Sequence, residues 1–422
     1  MTTARRSLVA SVAIQSLGAG ATFAVGIAIA LLQGPEAQGR YGLARSTVDL
    51  LLSLALFGLP QSMVHALNQL GTSASALEAW SLRYALTLLL LSLLITLGLA
   101  WSGAADSLLP AWLDSPLALL ALLVCAIGWV LQGLQRVIVL CRASAVRFGW
   151  LSVTPALTLL CTVAALLALG SQRYELALAA SGLSSALLGA WQLRRLRAAP
   201  QWARGGSVPW RTLWTTGTHA FAQSAAIALQ PWLSFVLLRQ QGASVGEVGQ
   251  FVFAAYVYQA FVLPAGFVAP LLMARVSAAS GLGRDYAVQD RFRRALLMTA
   301  LAAALAALSL PPLVPALFGA TYAPAVAACV WLALGGPLVV ANRLGVSVLL
   351  GRARFRAVST HALLRALLVP LVVWGCLKAA PAHPVTAAAF AWCAIEAVCA
   401  VALLLWWRTA APAPGSAVEE GR

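Results

Sequence analysis

Apolar stretches of about twenty residues recur along the whole chain, separated by short polar breaks. A helix needs roughly 20 mostly apolar residues to cross the hydrocarbon core of a bilayer. At that length the pattern predicts twelve spans, near 8–32, 42–68, 82–101, 117–140, 148–169, 175–193, 212–238, 249–274, 294–314, 325–350, 358–378 and 385–407. No gap is long enough for a soluble domain, the largest running from about Arg194 to Arg211. The opening segment has the Arg5-Arg6 flank of a signal peptide, but its apolar run is too long for one and reads as an uncleaved first span. The expected fold class is an all-α polytopic membrane protein.

Composition points the same way. The 422 residues are 61% hydrophobic and 9% charged, where a soluble domain carries about 25% charged residues. That excludes a soluble enzyme, a secreted disulfide scaffold and a disordered tail-binding protein. The formal charge of +16, from 28 basic and 12 acidic residues, would suggest nucleic acid on a soluble protein. Here no nucleic-acid partner is expected, because basic residues stay on the cytoplasmic side of a membrane protein. With the N-terminus inside, 21 basic residues fall in inside segments and 4 outside, while Arg45, Arg343 and Arg365 lie within spans. Both termini are therefore expected to be cytoplasmic. Heavy use of Ala, Leu and Arg with a single lysine suggests a GC-rich bacterial genome, hence the inner (plasma) membrane.

The chain also matches itself at a shift of 210 residues. Gly39 falls on Gly249, Tyr41 on Phe251, Phe57 on Phe267, Pro60 on Pro270, Met63 on Met273 and Arg142 on Arg352. With only four methionines in the chain, a Met pair beside a Phe and a Pro pair is a strong match. Six spans per repeat make the halves parallel, related by an axis along the membrane normal, with a substrate site expected between them. The domains expected are a six-helix bundle over 1–204, a second over 205–410, and a disordered cytoplasmic tail over 411–422. Pro60 and Pro270 are expected to bend the second helix of each half.

The stretch Gly34-Pro35-Glu36-Ala37-Gln38-Gly39-Arg40-Tyr41-Gly42-Leu43 leads into a helix ending Phe57-Gly58-Leu59-Pro60-Gln61. Together with Leu317-Phe318-Gly319-Ala320-Thr321-Tyr322-Ala323-Pro324-Ala325 before the tenth span, it resembles the polysaccharide and O-antigen flippases. These belong to the multidrug/oligosaccharidyl-lipid/polysaccharide (MOP) superfamily. The resemblance implies twelve helices in two six-helix bundles of MATE-like fold. It also implies export of an oligosaccharide on polyprenyl diphosphate from the cytoplasmic to the outer leaflet, for O-antigen, capsule or exopolysaccharide synthesis. Lipid-linked oligosaccharide, membrane lipids and other polysaccharide-assembly membrane proteins are the partners it suggests.

Ionisable residues inside spans are costly and mark candidate function. Arg45 and Asp49 share one helix face: they form either a head-group site with a coupling carboxylate or a self-neutralising pair. Arg343, nine residues before Arg352, lies deep enough to favour a cavity-facing role. Arg365, four residues after His361, is a further cavity candidate, although snorkelling to the cytoplasmic face also accounts for it. Glu396, with no basic residue near in sequence, is a second candidate for an H+ or Na+ coupling site, or else a structural glutamate. His219, Gln223 and Gln230 form a polar stripe suited to sugar hydroxyls or to interhelical contact.

No catalytic residue, metal site or cofactor is expected. The only lysine, Lys378, follows Gly375-Cys376-Leu377 and not a glycine-rich phosphate loop. The outer loop from Ser102 to Pro116, with Asp106 and Asp114, is too short for a sugar polymerase. The leading expectation is a lipid-linked oligosaccharide flippase working by alternating access. The alternatives are a multidrug/cation antiporter of the same superfamily and a peptidoglycan-precursor flippase. The antiporter branch commonly has coupling carboxylates on its first or seventh span, where this chain has none. The precursor flippases typically have fourteen spans.

Overall fold

A computed structural model describes residues 3–68, 70–102, 115–197, 202, 206–278, 285–352 and 354–409. The expected tail 411–422, Asp106, Asp114 and Arg204 lie outside the described residues. The described chain is helical almost throughout: α1 (Thr3–Leu56), α2 (Leu59–Asn68), α3 (Ala74–Ser102), α4 (Pro116–Arg142), α5 (Ala145–Ala168), α6 (Tyr174–Leu196), α7 (Trp210–Gln240) and α8 (Val245–Ala278). Then follow α9 (Asp285–Phe318), a 3-10 turn (Ala320–Ala325), α10 (Val326–Leu334), α11 (Gly336–Gly351), α12 (Phe355–Ala379) and α13 (Pro384–Thr409).

Ten of these helices are long and apolar enough to cross a bilayer, and the bent pair containing α10 and α11 makes eleven. The first run, Ala13–Leu56, has 44 residues, or about 66 Å of helix against a core of about 30 Å. It is broken at Gly34, whose φ of 78° and ψ of −171° leave the helical region. Pro35 then starts the next helical stretch, where its missing N–H costs nothing. Read as two passes, α1 brings the total to the twelve expected.

The bend expected at Pro60 sits a turn earlier. Phe57 and Gly58 have φ of 44° and 68° and separate α1 from α2, so Pro60 lies in the first turn of a new helix, a position that tolerates it. A Cβ on Gly58 would stand 2.2 Å from the Gly217 carbonyl oxygen of α7, which explains the small residue there. Pro270 lies within α8, its side chain outside the described residues.

The chain falls into two compact units. The first comprises residues 1–253 with 318–322, the second 254–317 with 323–422. In the first, Val25, Ile29, Val48, Leu122, Leu159 and Leu178 form one buried cluster, and Leu59, Met63, Leu77, Leu134, Ile138 and Leu213 another. Glu78, buried in α3, takes two hydrogen bonds from Arg197 just beyond α6, at 2.6 and 3.2 Å. That contact raises the Arg197 guanidinium above its ordinary pKa.

The repeat is visible inside the first unit. A Cβ on Gly249 would lie 1.7 Å from the Pro35 carbonyl oxygen and 2.8 Å from the Gly39 nitrogen, and one on Gly39 would lie 2.1 Å from the Val245 carbonyl oxygen. Gly39 and Gly249 are equivalent at the shift of 210, as are Pro35 and Val245. Equivalent positions of the repeat therefore pack reciprocally within this unit. Gly42 likewise packs on its own equivalent, Val252.

Many leucines remain uncovered by protein, among them Leu86, Leu90 and Leu94 on α3 and Leu301, Leu305 and Leu308 on α9. On helices of this length, lipid is the medium that covers them.

Candidate functional site

Each unit holds one cluster of charged side chains within its spans. In the first unit, Arg45 Nε donates to Asp49 Oδ2 at 3.0 Å. The two side chains are 29% and 39% uncovered. The Arg45 guanidinium also lies over the Trp129 ring of α4, 4.3 Å from its centroid. A turn earlier, the buried Tyr41 meets Tyr174 of α6 edge-on at 5.7 Å, and the Tyr174 hydroxyl bonds to Gln33. Arg45 thus emerges from an aromatic floor with one flank on Asp49 and part of its surface open.

The second unit's cluster joins four helices. Arg365 of α12 and Glu396 of α13 form a bidentate pair, Nη2 to Oε2 at 2.7 Å and Nη1 to Oε1 at 2.5 Å. Their side chains are only 6% and 1% uncovered. The Tyr258 hydroxyl of α8 donates to Glu396 Oε1 at 2.6 Å. Asn342 of α11 donates to the Glu396 carbonyl oxygen at 2.9 Å and to its carboxylate. Two charges taken out of water require such extra hydrogen bonds to offset their desolvation.

Local geometry delivers these groups. The α10–α11 span bends by 41° at Gly335-Gly336-Pro337. A Cβ on Gly335 would meet Cys393 Sγ at 2.8 Å, and one on Gly336 would meet the Phe261 ring at 2.7 Å. Small residues therefore let the bent span close on α13 and α8, which brings Asn342 to Glu396. Arg343 follows directly and lies in the field of Tyr258, Arg365 and Glu396. Among the described residues its guanidinium has no hydrogen bond or ion pair. His361, one turn before Arg365, is fully buried with its ring edge-on to Trp406 at 6.3 Å.

The structure therefore unites two pairs of the expected residues, Arg45 with Asp49 and Arg365 with Glu396. Arg365 does not snorkel: its reach is spent on a carboxylate 31 residues away, a better partner than the interface because it gives two charge-assisted bonds. Gln230 is buried, and Gln223 is half-buried with its amide oxygen unpartnered among the described residues. His219 lies on α7, its side chain outside the described residues. Tyr258, Asn342 and Trp129 were not singled out by sequence. One signal was present for Asn342, which aligns with Gln132 at the shift of 210 as a second polar amide in an apolar span.

Comparison with known proteins by sequence finds no matching family model and no matching curated protein. Comparison with solved structures finds many. An inward-facing multidrug resistance MATE family transporter of the MOP superfamily superposes with a TM-score of 0.70 at 15% identity, over 96% of this chain and 98% of that one. The MATE multidrug transporter DinF-BH in complex with R6G gives 0.66 at 15% identity, over 96% and 94%. An outward-facing MATE family transporter of the MOP superfamily gives 0.61 at 14% identity, over 97% and 96%.

The chain has the MATE fold. The agreement covers nearly the full length of both proteins. At these identities it is the fold alone that is shared.

Within this MATE fold three acidic groups of the spanning helices are taken, while Glu175 and Glu247, in the first turns of α6 and α8, have no arginine partner among the described residues. Asp49, Glu78 and Glu396 each pair with an arginine, whereas Arg343 and Arg136 have no carboxylate partner among the described residues. Arg136 instead lies over the Phe148 ring at 4.7 Å.

Proposed function

We propose that the protein is a flippase of the MOP superfamily. It would carry an oligosaccharide on polyprenyl diphosphate from the cytoplasmic to the outer leaflet of a bacterial inner membrane, by alternating access, for cell-surface polysaccharide synthesis. The observation that carries this reading is the charge pairing. The span carboxylates Asp49, Glu78 and Glu396 are each bound to an arginine, while among the described residues Arg343 and Arg136 have no carboxylate, and Arg136 lies over the Phe148 ring. A transporter of cations needs a carboxylate to hold them, while a diphosphate needs guanidinium donors, which grip its oxygens in pairs. In the second unit Arg343 is the group offered to an anionic head; in the first unit the open edge of Arg45 offers the same chemistry, and Gln223, Gln230 and His219 offer polar groups to sugar. The protein then replaces the hydration that charge and hydroxyls would lose in hydrocarbon. If H+ or Na+ drives the cycle, Asp49 is better placed than Glu396 to receive it, since it is part-open and holds Arg45 through a single bond.

A multidrug/cation antiporter is the second reading, favoured by the likeness to MATE multidrug transporters, one of them in complex with R6G. Deleting the gene and extracting lipid-linked sugars separates the two. A flippase leaves an intermediate on the cytoplasmic leaflet; an antiporter leaves none and expels ethidium from vesicles under a cation gradient.

A further inference from the structure

The second unit contains an apolar crevice of about 640 Å³ between α9, α11 and α13. Leu297 and Ala300 of α9, Leu338, Ala341 and Gly345 of α11, and Leu404 of α13 line it, and Arg293 is its one charged residue. Leu297 and Leu404 are 60% and 59% uncovered, so the crevice opens on the lipid side of the helices. A water molecule's share of liquid volume is about 30 Å³, and a methylene group is of similar size. The space therefore holds roughly twenty carbons, the size of a single lipid chain. Arg293 stands at the start of the membrane-length part of α9, Phe292–Phe318, within the segment 275–294 that the basic-residue bias places in the cytoplasm. Basic residues at such a position between transmembrane helices bind anionic head groups.

The crevice also shares its walls with the charged cluster. Asn342 and Arg343 alternate with Ala341 and Gly345 on α11. On α13, Ala400 lines the crevice one turn beyond Glu396. We infer that the crevice binds the isoprenyl chain of a polyprenyl phosphate carrier, with Arg293 on its phosphate, in the cytoplasmic leaflet. This rests on the flippase reading and adds to it the place where the lipid tail is held.

Binding of farnesyl phosphate to the purified full chain in detergent, read by native mass spectrometry, tests the inference without requiring transport. Ala300→Trp and Ala341→Trp fill the crevice from two helices at positions only partly covered by protein, and each is expected to weaken binding about tenfold or more. Arg293→Gln is expected to weaken it about fivefold, and uncharged farnesol is expected to bind wild type about as weakly as farnesyl phosphate binds that variant. Farnesyl phosphate binding that survives both tryptophans overturns the site. Phosphatidylglycerol displacing farnesyl phosphate at equal concentration overturns the occupant. If binding behaves as expected but deletion of the gene accumulates no lipid-linked sugar, the flippase reading fails while the crevice stands. If deletion accumulates such a lipid but farnesyl phosphate does not bind, the crevice fails while the flippase reading stands.

Discussion

Two of the arginine–carboxylate pairs in the described spanning helices are built in opposite ways. Arg45 and Asp49 sit on one helix, four residues apart, joined by one hydrogen bond and partly uncovered. Arg365 and Glu396 come from two helices, share two bonds, and are closed in by Tyr258 and Asn342. The first pair can open without moving a helix. Opening the second exposes two charges that four helices were arranged to satisfy. The buried pair therefore fixes the second unit's architecture, and the part-open pair is the one free to exchange partners. Arg343 stands beside the buried pair without belonging to it.

The largest effect that distinguishes them is expected at Glu396. Glu396→Ala leaves the Arg365 guanidinium buried without its carboxylate, which costs about 3–5 kcal/mol, seen as a large fall in the melting temperature of the purified protein. The double substitution Arg365→Ala with Glu396→Ala is expected to recover part of that loss, because no charge is then stranded. An unchanged melting temperature for Glu396→Ala would mean that the pair holds nothing together.

Next in size is Gly249→Ala. Its methyl would collide with the Pro35 carbonyl and the Gly39 backbone at the contact between repeats, an overpacking cost of about 1–3 kcal/mol. Gly246→Ala, three residues earlier and meeting only Ser244 Oγ at 3.8 Å, is the control expected to stay within about 0.5 kcal/mol. Equal losses at the two positions would mean that the Gly39–Gly249 contact is not as close as described.

Arg45→Ala is expected to separate function from stability. An exposed i,i+4 pair contributes about 0.3–0.5 kcal/mol, so melting should barely change while translocation of lipid-linked sugar falls. Asp49→Asn keeps the shape and frees Arg45; it is expected to alter the dependence of translocation on an imposed proton gradient. If Arg45→Ala instead unfolds the protein, the contrast between the two pairs is lost.

Much of this architecture was legible in the sequence, because lipid imposes a length and a polarity that few other environments do. The spans, the position of the tenth helix and the shift of 210 could all be read from apolar runs and rare residues. The break at Gly34 was readable as a polar gap, though not as a single kinked helix, since helical geometry continues through Pro35 to Tyr41. Pro60 misled: a proline marks where a helix starts as well as where it bends, and only Phe57 and Gly58 with positive φ settle which. The charged pairs divide in the same way. Arg45 and Asp49 are neighbours by helical spacing. Arg365 and Glu396 meet only because α12 and α13 face each other, and the rotation of one apolar helix against another is not written in its composition. Tyr258 escaped notice for the same reason, as a single hydroxyl whose partner lies 138 residues away.

The central claim is that an anionic lipid-linked head, and not a cation, is what the free arginine serves. It is tested most directly by complementing a strain that lacks the gene with wild type or Arg343→Ala, and measuring lipid-linked sugar on the cytoplasmic leaflet. The expected result is accumulation in the deletion strain, clearance by wild type, and persistent accumulation with Arg343→Ala although the variant reaches the membrane with an unchanged melting temperature. Full clearance by Arg343→Ala, or a deletion strain that accumulates no such lipid and loses ethidium efflux, would contradict it.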